Sequence, residues 1–242
     1  MSAYQLTYQA YGAGAVLVGW PAKIAPEILD DIRCFISFLK EASVPGILEW
    51  NSSYCSVLIV FNPMKTNYQA LITLLKTYRS VSQDSSEIVP PPCWEIPVCY
   101  EPPYAIDLPD VAKEIGMDIQ SLISLHTGTE YRVYGIGFLP GFLYLGGLPT
   151  SLHLPRKTMP IAVPKGAVAI GGQQTGVYPK DAPGGWHVIG QTPLTLFNSK
   201  ESPPCQVAVG DAVRFREIDS QQYKTLHKQV EQGAYPLKKY GQ

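Results

Sequence analysis

Over the first 80 positions the apolar residues switch between two periods. From Pro26 to about Ala42, the residues Ile28, Leu29, Ile32, Phe35, Ile36 and Leu39 keep to one helical face. Pro26 falls where a first-turn proline is tolerated, and Pro45-Gly46 stops the run. A second helix is expected from about Asn67 to Arg79, with Leu71, Leu74, Leu75 and Tyr78 on its buried side. Around these helices lie strand-sized runs at Gln5–Ala10, Ala15–Gly19, Ile47–Trp50 and Ser56–Phe61, the last two joined through an Asn51-Ser-Ser53 turn. Two helices over one antiparallel sheet make an α+β unit of the ferredoxin-like kind over residues 1–80. Its residues read as packing, and nothing catalytic stands in it.

Residues 81–93 are polar and then proline-stiffened, which marks a linker between domains. Beyond it the pattern predicts a strand at Trp94–Tyr100 and two short helices. The first spans Asp107–Ile115, with Asp107 placed to cap it, and the second spans Asp118–His126. From Thr129 to Arg216 short apolar runs alternate with glycine and proline clusters: Tyr131–Phe138, Ile161–Val163, Val168–Ile170, His187–Ile189, Leu194–Phe197 and Ala212–Phe215. Evenly spaced short strands of this kind indicate a barrel or sandwich over residues 94–218. A polar helical tail occupies 219–242, with Leu226 and Val230 four apart to dock it.

Composition removes several classes of function. Lys+Arg 19 against Asp+Glu 20 leaves a formal charge of −1, which argues against a phosphate-tracking nucleic-acid surface and a polybasic membrane patch. No apolar run reaches the roughly 18–20 residues that span a bilayer, and the amino terminus lacks a signal-like core. The five cysteines are scattered without a C-x-x-C, so reduced thiols, a cytoplasmic setting and small-hydrophobe roles are the economical expectation. There is no Walker-type loop and no nucleophile elbow, and Pro140 spoils the Gly135-Ile-Gly137 start of a dinucleotide fingerprint. His126, His153, His187 and His227 stand 27 or more residues apart, so no protein metal site is expected.

Two blocks remain: residues 135–149, and residues 171–193 with a gap at 180–181. Both are dense in glycine and proline, with Phe138, Phe142, Tyr144, Tyr178 and Trp186 interleaved. Such loops make an apolar ligand-binding rim; they equally make tight barrel corners, and composition does not choose.

The motifs in these blocks resemble a known family. They run from His126 through Tyr131-Arg-Val-Tyr134, Gly137-Phe-Leu-Pro-Gly-Phe142, Leu154-Pro-Arg156 and Val163-Pro-Lys-Gly166. They continue with Gln174-Thr-Gly-Val-Tyr-Pro179, Pro183-Gly-Gly-Trp186, Thr192-Pro193 and Gly210-Asp-Ala-Val-Arg-Phe215. This series resembles the family called allophanate hydrolase subunit 1, carboxyltransferase subdomain C/D, or the B subunit of bacterial ATP-dependent 5-oxoprolinase. The resemblance implies a cyclophilin-like β-barrel after the ferredoxin-like domain. It implies a subunit that works with a homologous C subunit and an A subunit to phosphorylate 5-oxo-L-proline and open it to L-glutamate. ATP, carrying its own Mg, is the implied cofactor. Two other roles remain open within the resemblance: a histidine-kinase inhibitor or similar binding module, and a subunit of an allophanate hydrolase or biotin-linked carboxyltransferase. Family members often carry arginine where this chain has Gln191, and a Pro-Arg pair at Pro160-Ile161. The loss of two guanidinium groups weakens any anion grip at those points.

The candidate residues follow, each with two readings. Arg156 is a bidentate grip for a carboxylate or phosphate, or a rim arginine. His126 is a proton shuttle in a cleft, or a cation closing a helix end. Gln174 suits a lactam's C=O and N–H, or steadies a turn. Phe142, Tyr178 and Trp186 line the substrate pocket or fill the barrel core. His187 is read as core or surface.

Overall fold

The computed structural model describes residues 4–81 and 90–240, with backbone alone at 78–81. It divides into two compact units, 1–90 and 91–242. The linker residues 82–89 and the side chain of Tyr78 lie outside what is described.

In the first unit, β1 (Thr7–Ala10) pairs with β2 (Ala15–Gly19), and α1 (Pro26–Ala42) has the limits its pattern predicts. β3 (Ile47–Ser53) and β4 (Ser56–Phe61) follow, then α2 (Tyr68–Val81), whose start is capped by Asn67 Oδ1 accepting from the Ala70 amide at 3.0 Å. The hairpin turns at Tyr54-Cys55 rather than at 51–53. Tyr54 takes a left-handed φ of 53°, and Ser52 and Ser53 pair as strand residues. The sheet order is β1-β2-β4-β3, antiparallel throughout, and the helices' apolar faces share one core with it: Ile28, Ile32, Phe35, Leu39, Leu71 and Leu75 against Val16, Val18, Val57 and Ile59. The connection order is β-β-α-β-β-α, whereas the ferredoxin-like pattern runs β-α-β-β-α-β. The strand that the ferredoxin-like order puts after α2 stands first here, as β1.

The second unit contains β5 (Cys93–Cys99), α3 (Leu108–Ile115), α4 (Ile119–Thr127), β6 (Glu130–Ile136) and β7 (Leu143–Gly146). After a short 3-10 turn it continues with β8 (Ile161–Val163), β9 (Ala167–Gly171), β10 (Gln174–Val177), β11 (Ala182–Gly184) and β12 (His187–Gln191). It ends with β13 (Ala212–Ile218), α5 (Ser220–Glu231) and β14 (Lys238–Lys239). Seven strands run β12-β9-β10-β7-β6-β13-β5, and Gln191 pairing with Cys99 joins the first to the last, closing a barrel. Only β5–β13 is parallel among the ladders of that ring. On the side away from β13, β5 is covered by Gln191 at one end and by β14 at the other, at Trp94 and Glu95. The expected strand at Leu194–Phe197 is loop: the β12 ladder ends at Gln191, and Pro193 has no N–H to extend it. Of the cysteines only Cys99 is buried; the other four are half-buried, and all five are free thiols.

Strand alternation produces two cores. Ile96, Val98, Tyr131, Val133, Leu143, Leu145, Val168, Ile170, Val177, Ile189, Val213 and Phe215 come from all seven strands, so they fill the interior, with α3 and α4 plugging it. Their neighbours Phe142, Ala167, Ala169, Tyr178, Trp186 and Val188 form a second cluster on the outside of β7, β9 and β12, joined by Ile161 and Val163 of the small β8–β11 ladder.

Candidate functional site

The outer cluster is built on glycine, but not at corners. Trp186 lies across Gly171, where a Cβ would meet the indole at 2.6 Å, and it also approaches Gly176. Tyr178 places its hydroxyl against Gly184, and Tyr134 covers Gly146. Gly146, Gly171, Gly176 and Gly184 all sit within strands. They are seats for aromatic rings, the close-approach role of glycine in a sheet. The second glycine-rich block is therefore largely strand and the first partly so, including β7, β10 and β11, which the runs of apolar residues did not predict.

On these seats Phe142 meets Tyr178 edge-on at 4.9 Å and Trp186 at 5.6 Å, and Tyr144 stands 4.6 Å from Phe142. Phe142, Tyr178 and Trp186 are buried, so packing absorbs most of their surface. Arg156 is exposed and stacks its guanidinium over the Trp186 ring at 5.2 Å. Burial pushes the phenols of Tyr144 and Tyr178 above their ordinary range, and the Arg156 charge pulls both part of the way back. Gln174 is the cross-strand partner of Gly171, which places it on this same face, 9% exposed. Phe138, 65% exposed with a left-handed φ of 63°, stands edge-on to Phe142 at the rim. Ile161 packs into the cluster.

His126 lies on the opposite side of β10, fully buried in the barrel. Its Nε2 is 3.0 Å from Thr175 Oγ1, whose own hydroxyl donates to the Ala169 carbonyl at 3.1 Å. Thr175 therefore accepts from Nε2–H, and Nδ1 accepts the Tyr100 hydroxyl at 2.8 Å. Burial lowers the imidazole pKa to about 3 and raises that of the Tyr100 phenol, which keeps both groups neutral. A neutral ring makes no charge interaction with the helix end. Phe215 stacks on it at 4.6 Å, and Tyr131 donates to its carbonyl at 2.9 Å. The geometry thus separates His126, inside, from Arg156, Gln174 and Trp186, outside.

Sequence reasoning missed the ion pair of Lys157, the neighbour of Arg156. Asp107 caps nothing: its carboxylate accepts from Lys157 Nζ at 2.7 Å through both oxygens and from the Val188 amide at 2.7 Å. No spacing rule connects positions 50 residues apart. It also missed a cleft of about 780 Å³ between the 192–206 loop and α5, lined by Lys165, Gln191, Thr195, Asn198 and Tyr235 among others. Two motif blocks meet there, and Gln191 Nε2 donates to the Lys165 carbonyl at 2.6 Å. Lys165 and His227 face Asp181, Glu201 and Glu231 in this cleft, a balance that does not fit a triphosphate. Among the described residues no cluster of three His, Cys, Asp or Glu is placed to hold a metal, and no helix is long and apolar enough to cross a membrane.

A seven-stranded barrel with an aromatic and arginine face, joined to a smaller sheet with helices, defines the class of this protein, and comparison with known proteins supplies the family. The carboxyltransferase domain, subdomain C and D, matches residues 6–207. The B subunit of the 5-oxoprolinase of Bacillus subtilis (strain 168) is 36% identical over 231 residues, covering 91% of this chain and 95% of that protein. The Escherichia coli O157:H7 protein of the same name is 48% identical over 122 residues, half of this chain and 56% of its own. The chain belongs to the carboxyltransferase subdomain C and D family. Among solved structures, TTHA0988 aligns at a TM-score of 0.74 and 31% identity over 85% of this chain, which spans 40% of that longer one. The Kluyveromyces lactis urea amidolyase shares the fold, at a TM-score of 0.76 and 18% identity over 97% of this chain and 16% of its own.

Proposed function

We propose that this chain is the B-type subunit of an ATP-dependent 5-oxoprolinase, acting in the cytoplasm with a homologous C subunit and an A subunit to open 5-oxo-L-proline to L-glutamate. The observation that carries the reading is the 36% identity to a protein of that name along 95% of its length. The site chemistry agrees with it. The substrate is a small lactam bearing one carboxylate. Arg156, with its guanidinium over the Trp186 ring, offers a fork for that carboxylate, and Gln174 on the same face offers an amide to match the lactam's C=O and N–H. Tyr144 supplies a half-buried wall.

Amide resonance makes the lactam a poor electrophile, so a phosphoryl group from ATP is needed to turn its carbonyl oxygen into a leaving group. The reading assigns the phosphates and their Mg to the sister subunit, because the cleft at Lys165 lacks the positive excess they require. This chain then contributes orientation and charge complementarity. His126 is a positioning residue here: it holds Thr175 from inside while the adjacent Gln174 faces out. In architecture, the barrel is read as cyclophilin-like. The amino-terminal sheet is read as a ferredoxin-like layer, since moving β1 to the end would restore β-α-β-β-α-β.

The test is reconstitution with the C and A subunits, following ADP and glutamate from 5-oxoproline; a fully assembled complex without turnover overturns the reading. Arg156→Ala is expected to cut turnover while leaving the complex assembled, and unchanged rates would return Arg156 to a rim role. The sequence relatives named urea amidolyase, 24% identical in Saccharomyces cerevisiae across 13% of that protein, favour the carboxyltransferase-type reading second.

A further inference from the structure

Resting on the anion-binding reading of Arg156, we propose that Lys157, Asp107 and His187 are positioning residues that clamp the main chain on both sides of Arg156 and so hold its guanidinium over Trp186. The loop from β7 to β8 would ordinarily be the mobile part of such a fold, yet residues 154–157 are fixed almost one by one. Leu154 exchanges both main-chain hydrogen bonds with Gly172, at 3.1 and 2.7 Å. The Pro155 carbonyl accepts from His187 Nε2–H at 2.9 Å. The Lys157 amide donates to the Gly185 carbonyl at 2.7 Å, and its ammonium reaches both oxygens of Asp107 at 2.7 Å. Asp107 is itself fixed, its carboxylate accepting the Val188 amide and its own amide donating to the Val188 carbonyl at 2.8 Å.

Every anchor of this loop on its 185–188 side therefore comes from the segment that carries Trp186, the ring under the guanidinium. The Lys157 and Asp107 side chains are only 18% and 13% exposed, while Arg156 between these anchors points out. A clamp that buries the neighbours and exposes the one cation fixes where that cation sits, which is what a carboxylate-binding arginine needs.

Two readouts test this. In the full chain, the Nε–H resonance of Arg156, assigned through Arg156→Lys, is expected to be dispersed and slow to exchange, and to collapse toward the free-arginine position in Asp107→Asn/Lys157→Met. That pair leaves an acceptor for the Val188 amide and no unpaired charge, so it is expected to fold, as its melting curve will report. In the reconstituted complex, Lys157→Met is expected to lower kcat/KM for 5-oxoproline on the order of tenfold, mainly through KM, with Lys157→Arg restoring it. In an Arg156→Ala background Lys157→Met should cost nothing further.

An unmoved Arg156 resonance in the paired variant overturns the proposal. So does a Lys157→Met penalty that persists without Arg156. If the resonance moves but Arg156→Ala turns over normally, the clamp stands and only the anion-binding role of Arg156 is lost.

Discussion

The buried His126 makes a pH prediction whose sign and size follow from its contacts. The residues packed around it are Tyr100 just after β5, Tyr131 from β6, Thr175 from β10 and Phe215 from β13, and none carries a charge. Protonating Nδ1 would put an N–H against the Tyr100 hydroxyl that now donates to it. Unfolded, the ring titrates near 6.5; folded, near 3. The unfolded chain binds the extra proton between those values, so the stabilisation is complete above pH 6.5 and is lost as pH falls toward 3. At 1.36 kcal/mol per pKa unit, the full span amounts to on the order of 5 kcal/mol, of which about 1 kcal/mol disappears between pH 6 and pH 5. Amide exchange of β9 and β10, read against pH, isolates the barrel from the amino-terminal unit. His126→Gln keeps a donor for Thr175 and an acceptor for Tyr100 but cannot titrate, so it should lose this slope between pH 6 and 5. An identical slope in the wild type and the variant would refute the buried neutral imidazole as its source, because all other titrating groups are shared.

Two further substitutions probe the scaffold. Gly171→Ala puts a Cβ at 2.6 Å from the indole of Trp186, so the ring must lift; the expected cost is about 1–3 kcal/mol by urea unfolding, with a shift in tryptophan emission as Trp186 moves. At the start of α5, Asp219 and Gln222 form a reciprocal capping box, and Asp219→Ala is expected to destabilise the barrel unit by about 1 kcal/mol, seen as faster amide exchange in the first turn.

The helices were legible because their signals are local. α1 has the limits its apolar period sets, and α4 lies within a residue of the span its pattern predicts, with Asp118 capping it through the Ser121 amide at 2.9 Å. The glycine blocks were legible as special but not as strands. Glycine at Gly171 and Gly176 signals a turn when read along the chain, and a flat seat for Trp186 only when the neighbouring strand is known. The Asp107 misreading has the same cause. An aspartate before Leu108-Pro109 is a good capping sequence, and the stronger partner, Lys157, is recruited by the closing of β12 against α3. His126 closes a helix in sequence as expected, but its burial follows from α4 docking on β13, which no spacing reveals.

The arrangement of the outer face leads to one more consequence. Phe142, Tyr178 and Trp186 are spent on packing, so the proposed site would meet a ligand chiefly through Arg156, Tyr144 and Phe138 on an open surface, together with the small exposed part of Gln174. A single exposed guanidinium–carboxylate contact contributes only about 0.2–1 kcal/mol against water. Tight binding of so small a ligand needs most of its surface buried, and this face supplies one wall. The isolated chain is therefore expected to bind 5-oxoproline with a Kd in the millimolar range or weaker, while addition of the C subunit should tighten binding by at least about tenfold as a second wall desolvates the same ion pair. Titration of the labelled chain by NMR, with and without its partner, measures both values. Micromolar binding by the chain alone, with shifts centred on Arg156 and Tyr144, would mean that this face already encloses its ligand, and the argument for a shared site would fail.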